Sequence, residues 1–223
     1  MRDESTDGAG TVWGVSTDVV IFSVRDEALT VRLVRRPDEP FAGCWALPGG
    51  LLGEGEDPDD GATRVLREKT GMEGVYLEQL YTFGRPDRDP RGRVVTVGYF
   101  ALVPWTEIGG ERDEPDGGWH PVDILPGLAF DHAEIVAMAR GRLAAKLEYS
   151  TIALQLMPER FTLSHLQSVY EIIRGEPLDK RNFRKRVRAM ECIEPTEATY
   201  RAGSHRPARL YRRKTPGRVE IIK

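Results

Sequence analysis

The order of hydrophobic and polar residues in the first hundred positions predicts several strands and one helix. Two runs rich in β-branched residues, DVVIFSVRD (18–26) and ALTVRLVRR (28–36), are separated at Asp26-Glu27, which predicts a β-hairpin. VVTVGYFALV (94–103) predicts a third clear strand. DPDDGATRVLREKTG (57–71) has acidic residues at the start of a helical pattern and a glycine at its end. This mixture indicates an α/β (α+β) domain, a mixed sheet with helices packed against it.

The segment FDHAEIVAMARGRLAAKLEYSTIALQLMP (130–158) has helical periodicity for most of its length and ends at a proline. We interpret it as a long helix, interrupted near 148–151, that joins two parts of the chain. The chain then consists of a flexible N-terminus (1–15), a larger domain (16–148) and a smaller C-terminal domain (149–223).

The formal net charge of −3 conceals two parts of opposite sign. Residues 1–150 contain 16 Lys and Arg against 27 Asp and Glu, a net charge of −11, whereas residues 151–223 contain 16 against 8, a net charge of +8. A basic domain joined to an acidic one indicates that the basic domain binds a polyanion. The chain has no apolar run near the length of a membrane span and no signal peptide, so we predict a cytoplasmic protein without membrane contact.

The basic domain has the pattern of a helix-turn-helix. FTLSHLQSVYEIIRG (161–175) predicts an amphipathic helix from the N-cap Thr162 to Gly175. After a short turn, Asp179 is placed to cap a second helix, KRNFRKRVRAM (180–190). ECIEPTEATY and RPARLYRRK, on either side of RAGSH, predict a basic two-stranded wing. The positions predicted to face inward are Leu163, Leu166, Tyr170 and Ile173 in the first helix and Phe183, Val187 and Met190 in the second.

The outward side of this second helix predicts a DNA-binding surface. A run of charge is usually a solvated face, but here it follows a turn and precedes a basic hairpin in the basic part of the chain. Arg and Lys contact phosphates regardless of sequence, while side chains that enter the major groove reach base edges. The candidate DNA-binding residues are Thr162, Arg181, Asn182, Arg184, Lys185, Arg188 and Arg206.

A second motif lies in the acidic domain. GLLGEGEDPDDGATRVLREKTGM (50–72) resembles the Nudix box, in which a Gly, five residues, a Glu and seven residues precede R-E-U-x-E-E-x-G-U, with U aliphatic. The preceding GCWALPGG is similar to the G-x-W-x-L-P-G-G that leads into many such boxes. The resemblance implies a Nudix-like mixed-sheet sandwich. The residues on the box pattern are Gly50, Glu56, Arg64, Leu66, Glu68, Gly71 and Met72.

The chain departs from this pattern at two of its three glutamate positions, where it has Val65 and Lys69 and retains only Glu68. In active Nudix hydrolases this helix face gathers carboxylates around Mg²⁺, which activates water. Valine offers no lone pair and lysine adds a positive charge. We therefore expect no catalytic residues and no required metal or cofactor, with Glu56 and Glu68 as the ligands if Mg²⁺ binds at all. In the alternative, Val65 packs inward and Glu54 or Glu56 takes over the metal.

The glycines ahead of this helix, Gly49, Gly50, Gly53 and Gly55, are placed to bring backbone N–H groups near a diphosphate. Arg35 is a further basic residue nearby, and an aromatic residue at position 45 suits either a stacking surface or the core. The candidate ligand-binding residues are Arg36, Trp45, Gly49, Gly50, Arg64, Glu68 and Arg85.

A Nudix-like domain with a degenerate box, followed by YSTIALQLMPERFTLSHLQSVYEIIRGEPLDKRNFRKRV and RPARLYR, resembles the NrtR family, the Nudix-related transcriptional regulators of NAD metabolism. GRPDRDPRGRVVTVGYFAL is similar to the same stretch of that family and of ADP-ribose pyrophosphatases. The resemblance implies a homodimer that binds palindromic double-stranded operators of NAD genes and is released by ADP-ribose as effector. The alternative is an ADP-ribose or nucleoside-diphosphate pyrophosphatase with an accessory C-terminal domain.

Overall fold

The computed structural model describes residues 13–71, 73–108, 117–201, 207–215 and 217–222. Its larger part is built on a mixed sheet, as the sequence predicts, and the structure adds that β1 lies parallel to β6 and antiparallel to β2. β5 pairs with β6, β3 and β7 with β2, and β4 with β1. The strands are β1 Gly14–Arg25, β2 Ala28–Arg35, β3 Trp45–Ala46, β4 Gly49–Leu51, β5 Tyr76–Phe83, β6 Val94–Leu102 and β7 Gly117–Pro121.

The predicted hairpin between β1 and β2 is confirmed. Arg25 pairs with Ala28, so the loop consists of Asp26 and Glu27, both with positive φ (48° and 59°). Two-residue turns of this kind match the right-handed twist of the strands they connect.

Helix α1 (Pro58–Thr70) forms where the sequence predicts it. The Asp57 side chain caps its start and Gly71, at φ 69°, ends it in the left-handed conformation. One face of the sheet is covered by α1, whose Val65 joins a cluster of buried apolar residues. The other members of that cluster are Val19, Ile21, Ala62, Leu66, Tyr99, Ala101 and Val103.

Helix α2 (His132–Tyr149) covers the other face of the sheet. The predicted interruption near 148–151 is confirmed, because the helix ends at Tyr149 and a 3₁₀ turn follows at Ile152–Leu156. One apolar cluster runs continuously from the sheet along α2 and into the C-terminal part. The two parts of the chain therefore share a core. Among the described helices, none is long and apolar enough to cross a bilayer.

The C-terminal part has the predicted winged-helix arrangement. Helix α3 (Leu163–Arg174) begins at Thr162, whose hydroxyl accepts a hydrogen bond from the His165 amide, and helix α4 (Lys180–Ala189) is capped by Asp179. Strands β8 (Ile193–Tyr200) and β9 (Ala208–Arg213) form the wing hairpin. All predicted inward positions are buried except Met190, which is half-buried.

The last described residues return to the junction between the two parts. The Thr151 amide donates to the Glu220 carbonyl at 3.0 Å, and the Ile222 amide donates to the Tyr149 carbonyl at 2.7 Å. The Glu220 amide also donates to the Thr151 hydroxyl at 2.9 Å. Residues 149 and 151 are thereby hydrogen-bonded to the C-terminal segment.

Candidate functional site

A cleft of roughly 330 Å³ opens beside β4 and the start of α2. Three of the predicted ligand-binding residues, Arg36, Gly49 and Gly50, line it. The complete lining consists of Ser16, Asp18, Arg36, Pro37, Asp38, Leu47, Gly49, Gly50, Leu51, Arg88, Asp89, Arg91, Val94, Phe130 and His132.

Gly49 is required by the close approach of β4 to β1. A Cβ atom at position 49 would lie 2.1 Å from an Asp18 carboxylate oxygen and 3.0 Å from the Thr17 carbonyl. Any larger residue would therefore displace a carboxylate that faces the cleft or separate the two strands.

A buried cluster of charged groups forms the floor of the cleft. Arg88 donates through Nε and Nη2 to the two carboxylate oxygens of Asp131, at 2.9 and 2.7 Å, and Nη2 also lies 3.5 Å from Asp18 Oδ2. The side chains of all three residues are at least nine-tenths buried. A guanidinium shared by two carboxylates compensates charge that would otherwise be costly in this environment.

His132 completes the cluster. The Leu47 amide donates to His132 Nδ1 at 2.9 Å, so the imidazole proton lies on Nε2, which is 3.6 Å from Asp18 Oδ1. Burial lowers the pKa of His132 below its usual range, although the nearby carboxylates oppose that shift. The ring is therefore neutral near pH 7 and acts as a fixed acceptor for the Leu47 amide, directly after β3.

Phe130 lies at the wall of the cleft, directly before this cluster in sequence. Its ring is 4.7 Å from the Arg36 guanidinium and 5.8 Å from that of Arg91, and Phe41 packs on it edge-on. Arg91 is itself held by two hydrogen bonds to Asp89. Phe130 has a φ of 53°, a conformation that bulky residues rarely adopt. The cleft thus combines cationic groups with an aromatic surface.

Two predicted ligand-binding residues, Arg64 and Glu68, lie outside the lining. Arg64 donates to both carboxylate oxygens of Glu56, at 2.6 and 2.8 Å, and to the Leu51 carbonyl at 3.1 Å, and it also contacts Glu68 at 3.3 Å. The bonds from Arg64 to Glu56, with another from the Gly53 amide, lower the pKa of Glu56 to about 2. In this geometry Arg64 and Glu56 fix the loop between β4 and α1.

The amides of the loop before α1 and of its first turn include several that donate to nearby carboxylates. The Gly53 amide donates to Glu56, and the amides of Asp59 and Asp60 donate to the Asp57 side chain. Of the four predicted glycines, Gly53 therefore already has a partner for its amide, whereas Gly49 and Gly50 line the cleft, and the diphosphate cradle stays a prediction.

The remaining predicted residues of this set, Trp45 and Arg85, are also outside the lining. Trp45 is half-buried between the Arg35 guanidinium, at 4.1 Å, and the His120 ring, which agrees with the core interpretation. Arg85 is exposed and pairs with Glu134 at 3.0 Å. Whether either residue contacts ligand remains a prediction.

The described residues of α1 and its preceding loop place the candidate metal-binding positions as follows. Val65 is only 1% exposed in the apolar cluster, and Glu56 and Glu68 both pair with Arg64. Within the described residues, no group of three or more His, Cys, Asp or Glu side chains is arranged to hold a metal ion. The side chain of Lys69 and all of Met72 lie outside the described residues. Val65 packs inward as the alternative interpretation supposed, but Glu56 is held by Arg64.

The second helix of the helix-turn-helix presents the predicted cationic surface. Phe183 and Val187 face the core. Arg181, Asn182, Lys185 and Arg188 are exposed and Arg184 is half-exposed, and all five line one open concavity with Asp179 and Lys180. Thr162 is half-buried at the start of α3, and Arg206 lies outside the described residues.

The floor of the cleft was not predicted from the sequence. Asp18, Arg88 and the adjacent pair Asp131-His132 belong to three segments that only the fold brings together. The available signal was a run of charged residues, GRPDRDPRGR (84–93), inside a domain that has to bury a core. That run is similar to the same stretch of a known family, but it does not indicate which residue each charged side chain pairs with.

A Nudix-type sheet sandwich with a cationic cleft, joined through one helix to a winged helix with a basic outer face, defines a two-domain protein with a candidate ligand site and a candidate polyanion-binding surface. Residues 14–139 match the NUDIX domain family and residues 153–213 match the NrtR DNA-binding winged helix domain. The chain belongs to the NrtR family.

Three matches to two relatives support this assignment. The chain is 39% identical to the ADPR responsive transcriptional repressor NtrR of Acinetobacter baylyi, over 89% of this chain and 81% of that protein. It is 37% identical to Shewanella oneidensis NrtR crystallised with a 27mer DNA, with a TM-score of 0.82 over 90% of this chain and 93% of that one. The NUDIX domain of the same Shewanella protein, crystallised with ADP ribose, is 38% identical with a TM-score of 0.54 and covers 63% of this chain and 94% of its own.

Proposed function

We propose that this protein is a transcriptional repressor of genes of NAD biosynthesis and salvage. It binds palindromic operator DNA through the winged helix and is released when ADP-ribose occupies the Nudix cleft. The observation that carries the proposal is the presence, in one chain with a shared core, of a cationic α4 surface and a cleft with arginine and aromatic walls. The Shewanella oneidensis relative was crystallised with a 27mer DNA, and its NUDIX domain was crystallised with ADP ribose.

The cleft suits a charged nucleotide. Arg36 and Arg91 flank the Phe130 ring, so a diphosphate finds guanidinium donors beside a surface on which a base or ribose packs. Asp18 contributes an acceptor for hydroxyl groups at the cleft floor.

We propose that the cleft binds ADP-ribose without hydrolysing it and that Mg²⁺ is not required. Val65 in the core and the engagement of Glu56 by Arg64 support this, because Mg²⁺ catalysis needs free carboxylate oxygens. A ligand that is not consumed allows the signal to persist. Such a sensor works in the cytoplasm, where DNA and nucleotide are both accessible.

We further propose a homodimer. A helix-turn-helix dimer reads a palindrome when its two recognition helices are separated by one DNA turn, about 34–36 Å, or a multiple of it. Ligand can then lower DNA affinity by changing that separation, provided that it binds the DNA-incompetent arrangement more tightly.

The test is a titration at constant salt. A duplex selected by the protein from a random-sequence library is bound in the presence and absence of saturating ADP-ribose, and random DNA serves as the control. We expect ADP-ribose to weaken binding of the selected duplex and to leave the phosphate-driven binding of random DNA mostly unchanged. Equal affinity for the selected duplex in both conditions would rule out the sensor mechanism, and release by NAD alone would assign a different effector.

A further inference from the structure

Helix α4 carries one arginine that does not belong to its outer face. Arg186 is half-buried and is absent from the concavity formed by Arg184, Lys185 and Arg188. Its Nη2 donates to the carbonyls of Leu147 and Glu148, at 2.9 and 2.8 Å. This cation is therefore directed at the other domain and away from the DNA-facing surface.

The two carbonyls that accept from Arg186 lie in the last turn of α2 (His132–Tyr149). The last four carbonyls of a helix have no partners within the helix, and the C-terminal end of the helix dipole favours a cation. Arg186 supplies hydrogen-bond donors to two of these carbonyls and places a cation at the C-terminal end of the helix. Arg174, at the end of α3, also contacts the last turn of α2, through an ion pair of 2.7 Å with the Glu148 carboxylate.

The same turn of α2 is attached to the sheet. Lys146 Nζ lies 2.7 and 2.5 Å from the two carboxylate oxygens of Glu78 on β5. At the opposite end, Asp131 and His132 are bonded to groups that line the cleft. With 18 residues at about 1.5 Å each, α2 spans roughly 27 Å between the cleft and Arg186.

We propose that Arg186 is a positioning residue that fixes the recognition helix α4 to α2, so that operator affinity depends on the occupancy of the cleft. This inference rests on the proposed function and adds a role to it. In this role Arg186 contributes nothing to contacts with phosphates or bases. Its loss leaves both binding sites intact and removes the two hydrogen bonds that hold α4 against the end of α2.

The experiment compares Arg186→Met, which removes the donors and keeps the length of the side chain, with Arg188→Met on the exposed side of the same helix. Arg186→Lys restores a charged donor as the conservative variant. For each full-length protein, affinity for the selected duplex is measured over a range of salt concentrations, with and without saturating ADP-ribose. ADP-ribose affinity is measured separately by calorimetry.

For Arg186→Met we expect unchanged ADP-ribose affinity and an unchanged salt slope. The ratio of duplex dissociation constants with and without ADP-ribose should fall from the range of about 5–150 that is typical of allosteric coupling to within about twofold of one. Arg186→Lys should recover part of the ratio. Arg188→Met should keep the ratio while lowering the salt slope by about 0.9, the value for one phosphate contact. If Arg186→Met lowers the salt slope and keeps the ratio of duplex dissociation constants, Arg186 is a DNA contact and the proposal is overturned.

A measurement on the free protein separates this inference from the proposed function. Amide hydrogen exchange over residues 180–189 should be faster in Arg186→Met than in the wild type, because the helix has lost two hydrogen bonds that dock it. Arg188→Met should exchange as the wild type does. If the wild type shows no response to ADP-ribose, the proposed function fails, and equal exchange in Arg186→Met and wild type overturns the positioning role independently.

Discussion

Arg88 and Asp131 form a two-pronged ion pair in which both side chains are at most 3% exposed. It joins the loop after β5 to the residue that precedes α2, beneath the cleft. In a buried pair of this kind, removal of one charge leaves the other without compensation for its desolvation cost.

Arg88→Met is therefore expected to lower the free energy of unfolding by about 3–5 kcal/mol, since it leaves the buried Asp131 carboxylate without its main partner. Arg85→Met is the matched control, because Arg85 also connects this loop to α2, through the exposed Glu134, and its loss should cost about 0–1 kcal/mol. Urea unfolding measures both values. Equal effects of the two substitutions would contradict the assigned difference in burial.

The wild-type protein should release negligible AMP from ADP-ribose in the presence of Mg²⁺. Val65→Glu alone should not restore hydrolysis, and it should lower the free energy of unfolding by about 1–3 kcal/mol or more, because the new carboxyl group enters an apolar cluster without a partner. Arg67→Glu places the same group on the exposed side of α1 and should cost less. AMP release by the wild type at the order of 1–10³ per second would instead establish a pyrophosphatase.

Arg181→Ala combined with Lys185→Ala should weaken binding to the selected duplex without altering unfolding, because both side chains are exposed. A residue that contacts a base edge should cost about 1–3 kcal/mol at that base, and each lost phosphate contact should lower the salt slope by about 0.9. Gel-shift titrations over several salt concentrations measure these effects, with Arg140→Ala on α2 as the control. Wild-type affinity in the double variant would exclude this face of α4.

The Arg64–Glu56 pair predicts a pH dependence of stability. Hydrogen bonds from Arg64 lower the folded pKa of Glu56 from 4.5 to about 2, so the stabilisation is complete above about pH 4.5 and is lost as the pH falls towards 2. The difference in stability between wild type and Glu56→Gln should be constant near neutral pH and shrink below pH 4.5. Denaturant melts from pH 7 to pH 2.5 provide the measurement, and a difference that is the same at every pH would show that the charge of Glu56 does not contribute.

The sequence predicted the elements whose signals are local. Asp179 and Thr162 cap helices α4 and α3 because a short polar side chain reaches an amide two or three residues away, and this geometry is readable from spacing. The floor of the cleft depends on partners 43 and 70 positions apart, Arg88 with Asp131 and with Asp18, and no periodicity encodes such pairs.

The motif also predicted residue types better than it predicted roles. Arg64 and Glu56 fall on the Nudix pattern, yet they bind each other and fix a loop. Arg186 belongs to the same run of charge as its DNA-facing neighbours, and only the packing of α4 against α2 distinguishes it. A sequence pattern identifies which residues are charged, but the fold decides which surface each one serves.

Helix α2 begins inside one matched domain, which ends at residue 139, and continues to Tyr149, before the other begins at residue 153. There is consequently no spacer at which the protein can be divided cleanly. A different DNA-binding domain grafted onto this sensor would need two contacts at the junction. One is a side chain that hydrogen-bonds to the carbonyls in the final turn of α2, and the other is a returning segment like residues 220–222 that hydrogen-bonds to residues 149–151. Whether these junction contacts form, more than the identity of either domain, would decide whether a chimaera responds to its ligand.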